Sequence, residues 1–496
     1  MDALNTKESL LIKLKNFLWP FEGKQENKKF IGLAIMMIGV LLNYSLLRGM
    51  KDTLINTAKS GGAELIPTLK SLVVLPLAIL FFIVYSKLSH WFSQEKVFYI
   101  IVGFFAVYFF LFFFILYPNI DFFHASDATI NLWKEQFPRL RFMTPLIGLW
   151  GFTLFFVFAE LWGSAVLSLL FWQFANEVCT TKEAKKIYPM IALFANLALI
   201  LTGSVTNFFK SLGENSTEDT FLVMTRYTGS TILLIAVIIL SVYYAMRKDP
   251  DCKKEEILVK KSKVKLGFFA SIKYLATNSY LMLLSVMVLA YGISVNLIEV
   301  VWKKQLQLQF PLREDYMQFM GNFQIQSGVI GFIMVIFTKN LVRRFGWKFG
   351  ALITPIAMAV SVVVFFIFIL QKEVLDPTLM SWGYSSLWGA VYLGMYLLIV
   401  SKGLKYSQFD PTKEMAFIPL TEEERTKGKA AVDVIGGRLG KALGGYIVTS
   451  MFVVFSGATI ESLTPVLGGI VIMIVVLWVL AVIALSKKYE VIADKS

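Results

Sequence analysis

The chain has 496 residues, 56% hydrophobic and only 17% charged, with a mean hydropathy of +0.65. A soluble protein of this length needs a far more charged surface, so the composition excludes that class and points to an all-α membrane protein. The formal charge of +14 admits nucleic-acid binding only until the positions of the basic residues are read. Cys179 and Cys252 are too few for a disulfide framework, and His90 and His124 stand in no metal-ligand spacing, so no metal or other cofactor is expected.

Residues 1–29 open with ESLLIKLKNFLWPFEG (8–23), an amphipathic stretch expected to lie along the inner membrane surface. It lacks the apolar region and cleavage site of a secretory signal, and its acids are unlike a transit peptide. A membrane span needs roughly 20 mostly apolar residues. Twelve such segments follow: 30–48, 69–86, 97–117, 144–176, 187–208, 227–246, 277–301, 318–338, 349–370, 383–401, 430–456 and 465–486. Span 4 is too long for one crossing and too short for two, and is expected as one long helix projecting into the cytoplasm. With both termini cytoplasmic, 33 Lys and Arg fall in inner segments and 12 on the outer side, counting Arg48 at the outer end of span 1. That asymmetry fixes the orientation and accounts for the basic charge without nucleic acid.

The most basic inner loop, MRKDPDCKKEEILVKKSKVK within 247–276, divides the spans six plus six. The halves, 30–246 and 277–486, with a cytoplasmic tail at 487–496, have the organisation of the major facilitator type, whose halves are internal repeats. GVLLNYSLLRGMKD (39–52) aligns with GISVNLIEVVWKKQ (292–305), placing Gly39 on Gly292, Asn43 on Asn296 and Lys51 on Lys304. LWG then TKEA (161–163, 181–184) echoes LWG then TKEM (387–389, 412–415).

Charges inside a bilayer are costly and usually face a partner or a water-filled cavity. The candidates are Arg48, Lys51 and Asp52, with Asn43, on span 1; Glu160 on span 4; Glu299, with Asn296, on span 7; and Asp433, Arg438 and Lys441 on span 11. Arg438 and Lys441 are three residues apart and face nearly the same way, as are Arg48 and Lys51. Close cations in low dielectric call for an anion, and a phosphate chain would supply it. The plainer readings are a helix pair for Arg48 and Asp52, snorkelling for Lys51 and Arg438, and a structural role for Asp433. Lys51 and Glu299 both fall about 21 residues into their spans and are expected to pair across the halves; Glu160 would position a cation or polarise a sugar. Either Glu is an alternative proton carrier. Gly436, Gly440 and Gly444 recur every four residues, which reads as close helix packing. GRLGKA lacks the spacing, the Ser or Thr and the preceding strand of a phosphate loop, so ATP hydrolysis is unsupported, no enzyme is expected, and a nucleotide, if one binds here, would bind as cargo. Asn322, Gln324 and Gln326 on span 8 are polar enough for a base or for interhelical bonds. Tyr44, Trp162, Phe174 and Tyr291 suit stacking or, more simply, packing.

Five segments resemble the nucleotide transporter family, the ATP/ADP translocases of obligate intracellular bacteria and plastids. They are NYSLLRGMKDTL (43–54), AELWGSAVLSLLFWQFANE (159–177), YGISVNLIEVVWKKQL (291–306), SKGLKYSQFDPTKEMAFIPL (401–420) and KGKAAVDVIGGRLGK (427–441). The resemblance implies a monomeric carrier in the bacterial inner membrane that imports ATP in exchange for ADP. It also implies that Lys51, Glu160, Glu299 and Lys441 are essential. Broader nucleotide specificity, proton coupling and transport of another organic anion are the alternatives. Gly49, and LGG at 443–445, depart from the usual family pattern.

Overall fold

The computed structural model describes residue 21 and residues 23–252, 275, 277–338, 341–421, 424, 428–429, 431–432 and 439–493. Most of the amphipathic stretch at 8–23, the linker beyond Cys252, and Asp433, Gly436 and Arg438 lie outside them. Every regular element among the described residues is helical. A bilayer leaves no other route for an open chain, because backbone groups in hydrocarbon must be satisfied within the segment.

Ten described helices are long and apolar enough to cross a membrane: Lys24–Asn56, Leu65–Trp91, Gln94–Phe123, Trp150–Val178, Lys182–Glu214, Thr220–Lys248, Ser279–Gln309, Arg344–Leu370, Ser386–Met415 and Ile460–Ile492. They carry spans 1–7, 9, 10 and 12. Span 8 falls on the more polar helix Arg313–Thr338, and the described part of span 11 is Gly440–Val454. Local chemistry fixes several starts. Thr180 and Glu183 form a reciprocal capping box, Asp219 accepts from Leu222 N at 2.7 Å, and Asn278 accepts from the backbone of Tyr280 and Leu281.

Several boundaries differ from the hydropathy reading, span 1 running to Asn56 and span 10 to Met415, and two others bear on the packing. Span 4 is not continuous from 144: Leu149 leaves the helical region at ψ 39° after the short helix Thr144–Gly148, and the crossing restarts at Trp150. Span 7 runs eight residues beyond 301, to Gln309, because its last turns are buried in protein. Spans 2, 3, 4 and 10 each contain a π-helical stretch: Leu69–Val74, Phe112–Leu116, Gly163–Phe171 and Lys405–Phe409.

The chain packs as two compact units. One comprises Met1–Gly49, Leu80–Pro118 and Phe158–Val259; the other comprises Met50–Ile79, Asn119–Val157 and Lys260–Ser496. In the first, the Trp162 indole donates to the Val40 carbonyl at 3.2 Å, joining spans 4 and 1, and Phe98 stacks on Tyr243 at 3.8 Å. In the second, Trp302 donates to the Val391 carbonyl at 2.8 Å, joining spans 7 and 10, and Tyr291 stacks on Phe409 against the edge of Trp478. Trp162, Tyr291 and Phe174, the last against Tyr243, are thus engaged in packing. Segments 50–79 and 119–157 pack with the second unit, which places the last turns of span 1 and the first of span 2 beside span 7.

Candidate functional site

The second unit holds a chain of buried charges. Span 1 ends in Lys51 and Asp52, whose side chains pair at 2.8 Å. Asp52 also meets Lys303 of span 7 at 2.9 Å, and Lys303 meets Glu299, one turn earlier on its own helix, at 3.2 Å. Lys70 of span 2 completes the line, donating to Glu299 Oε2 at 3.2 Å and to Asn296 Oδ1 at 3.3 Å. The side chains of Lys51, Asp52 and Lys303 are at most 1% exposed, and those of Glu299 and Lys70 are 11% and 16% exposed.

The surroundings explain how so many charges are held. The Lys51 ammonium lies 3.8 Å from the centre of the Phe156 ring, a cation–π contact in a site sheltered from water. Asn56 donates to the Tyr316 hydroxyl at 2.7 Å, and Lys304 pairs with Glu64 at 3.0 Å, so spans 1, 7 and 8 and the turn into span 2 are cross-linked by polar contacts. That turn needs Gly62, whose φ of 133° is closed to other residues. Buried ion pairs add little net stability against apolar packing, but losing one partner is expensive, which suits a contact whose making and breaking matters.

Span 11 seats against the same region through its small residues. A Cβ on Gly440 would lie 3.2 Å from the Gly292 backbone, one on Gly444 would lie 2.8 Å from Asn296 Cβ, and one on Gly445 would lie 2.9 Å from the Pro67 carbonyl. Thr449 adds polar contacts to Ser71 at 3.3 Å and Thr68 at 3.4 Å. The glycine repeat therefore works as close packing at the two positions described. Lys441 is the second residue of this helix, one turn before Gly445.

Of the residues singled out from the sequence, Lys51, Asp52, Asn296 and Glu299 come together here. Lys51 and Glu299 are linked through Asp52 and Lys303. Asn43 lies in the first unit, fully buried, donating to the Ile232 carbonyl at 3.0 Å. It aligns with Asn296 in sequence, yet Asn296 donates to its own Gly292 carbonyl and receives Lys70. Arg48 and Glu160 are half-buried in the first unit, Glu160 just before the π-helical stretch at Gly163. Gly163 admits the Tyr44 ring, which lies 2.5 Å from where a Cβ would stand.

Lys70 and Lys303 were missed as site residues. Lys303 carried a legible signal, the Glu299–Lys303 i,i+4 spacing, obscured by ending span 7 at 301. Lys70 was visible as a cation inside a span, but its partners lie 226 and 229 residues away in sequence.

A bundle of membrane-spanning helices, with charges gathered on spans 1, 2 and 7, has the fold of the major facilitator type. Two solved structures share the fold: a bacterial homologue of the iron transporter ferroportin, at 14% identity and a TM-score of 0.59 over 94% of this chain and 100% of that one, and a nucleoside transporter, at 10% and 0.57 over 93% and 100%. The chain belongs to the TLC ATP/ADP transporter family, whose model matches residues 4–489. It is 40% identical to ADP,ATP carrier protein 1 of Rickettsia prowazekii, covering 100% of this chain and 99% of that protein. It is 39% identical to the chloroplastic ADP,ATP carrier protein 1 of Arabidopsis thaliana, covering 93% and 74%.

Proposed function

We propose that this chain is an ATP/ADP antiporter of the bacterial inner membrane, importing ATP in exchange for ADP by alternating access. The observation that carries the reading is identity of 40% over the whole chain with relatives named ADP,ATP carrier proteins. The cluster supports it: Lys51 and Glu299, two of the four residues that the family resemblance marks as essential, meet in one network of buried charge. In this reading Lys51 and Lys441, with Arg48 and Arg438, bind the phosphates. Arg suits bidentate contact and Lys a point charge. Glu160 and Glu299 position cations, Asn43 holds span 1 in place, and Asn296 lines the site. The halves 30–246 and 277–486 rock about the cargo, with both termini and the basic linker in the cytoplasm.

Reconstituted into liposomes preloaded with ADP, the protein is expected to take up labelled ATP, and empty liposomes to take up little. Lys441→Ala is expected to abolish uptake while expression persists; near-normal uptake in that variant sinks the phosphate assignment. Competition by GTP, CTP, UTP, NAD and phosphate defines specificity. Net uptake driven by a pH gradient into nucleotide-free vesicles would replace exchange with proton coupling.

A further inference from the structure

The charges of the cluster are not equally free to part. Lys51 and Asp52 are neighbours on span 1, and Glu299 and Lys303 are one turn apart on span 7. Each helix therefore carries a matched pair that survives if the helices separate. Lys70 differs. Its contacts, Glu299 and Asn296, both belong to span 7, and the helix that carries it, Leu65–Trp91, contains no Asp or Glu at all. Withdrawing span 7 leaves the Lys70 ammonium without an anion on its own helix, at a position where a charge is costly.

Three further features converge on this residue. Its side chain is 16% exposed where those of Lys51 and Lys303 are 1%, so of the three lysines it is the most accessible to a solute. It stands in the π-helical stretch Leu69–Val74, a widened turn of the kind that often marks functional positions. The turn that carries it is seated on span 11: Gly445 packs on the Pro67 carbonyl and on Ser71, and Thr449 reaches Ser71 and Thr68. Lys70 thus sits beside the helix that begins with the Gly440–Lys441 motif.

We propose that Lys70 is a substrate-binding residue that exchanges the Glu299 carboxylate for a phosphate of the transported nucleotide. Glu299 is then an internal competitor of the substrate: it holds Lys70 in the substrate-free arrangement and releases it to a phosphate when the helices part. The inference rests on the nucleotide-exchange reading and adds to it a residue and a counter-ion.

The test measures binding of ATP, ADP and AMP to the purified full-length protein, with folding checked by size-exclusion profile. Lys70→Gln is expected to weaken ATP and ADP by about tenfold and AMP by less, as loss of a phosphate contact requires. An equal loss for all three ligands, or none, overturns the proposal. Glu299→Gln is expected to impair transport but to tighten ATP binding several-fold by removing the competitor, and the tightening is expected to vanish in the Lys70→Gln background. If Lys70 only anchors span 7, removing Glu299 leaves ATP binding unchanged or weaker. That result overturns the proposal even where Lys70→Gln fails to fold. Absence of ATP and ADP binding and exchange in the wild-type protein would instead sink the exchange reading itself.

Discussion

Ion pairs of the same chemistry stand in opposite settings at the helix ends of the first unit and in the buried cluster of the second. The first unit also holds a buried pair, Lys29–Glu183, and the second holds exposed ones such as Lys429–Glu414. In the first, Lys28 reaches Asp249 at 2.9 Å and Asp251 at 2.7 Å, Lys186 reaches Glu26 at 3.2 Å, and Arg247 reaches Glu177 at 2.9 Å. These side chains are 23–43% exposed, at helix ends where water screens them. In the second, Lys51, Asp52 and Lys303 are at most 1% exposed. The difference teaches that charge count along a sequence says little about consequence. Exposed pairs guide the fold weakly, whereas buried ones commit it, because each charge removed strands another.

The sharpest way to break the comparison is Asp52→Ala. It removes the carboxylate shared by Lys51 and Lys303, and unfolding in lipid or detergent is expected to show a loss of about 3–5 kcal/mol. Second is Gly444→Leu, whose side chain would start 2.8 Å from Asn296 Cβ. It is expected to cost about 1–3 kcal/mol and to depress nucleotide exchange by pushing Asn296 out of line. Third, Trp302→Phe and Trp162→Phe each delete an indole donor to a buried carbonyl, in the second and first unit respectively. Both are expected to cost about 1–2 kcal/mol, and a similar loss in both would sharpen the point that the units differ in their charges rather than in their packing.

The smallest effect concerns pH. The Lys28 ammonium holds the Asp249 and Asp251 carboxyls below the usual carboxylate range. A carboxylate with a lowered folded pKa contributes stability that is present above its unfolded value, near 4, and is lost as pH falls through the folded one. Lys28→Ala is therefore expected to differ slightly from wild type in its unfolding midpoint at pH 7. The two are expected to converge as pH falls through the lowered folded values, and high salt to shrink the gap.

Much of the fold was legible in the sequence, because hydrocarbon imposes a length and a polarity that few other constraints mimic. What hydropathy misjudged were places where protein, not lipid, surrounds the helix. Lys303 and Gln305 look like the start of a loop, yet they are buried in protein, 1% and 7% exposed. The break at Leu149 depends on backbone angles that an apolar run does not encode. The site was legible as a set of expensive residues, and Lys51, Asn296 and Glu299 were among them. Its wiring was not. Asp52 was read with Arg48 in view, while its buried contact with Lys303 joins residues 251 positions apart, and Lys70 gains meaning only from partners on another helix. The internal repeat misled in one respect, since it aligns Lys51 with Lys304, while Lys304 pairs with Glu64 and it is Lys303 that joins the network.

The matched pairs on spans 1 and 7 also have an electrical consequence. A membrane potential acts on displaced net charge, at about 2.3 kcal/mol per elementary charge per 100 mV. Lys51 with Asp52, and Glu299 with Lys303, are each neutral on their own helix. Moving either helix end through the field displaces a dipole rather than a charge, so these four residues add almost nothing to the voltage dependence of the carrier.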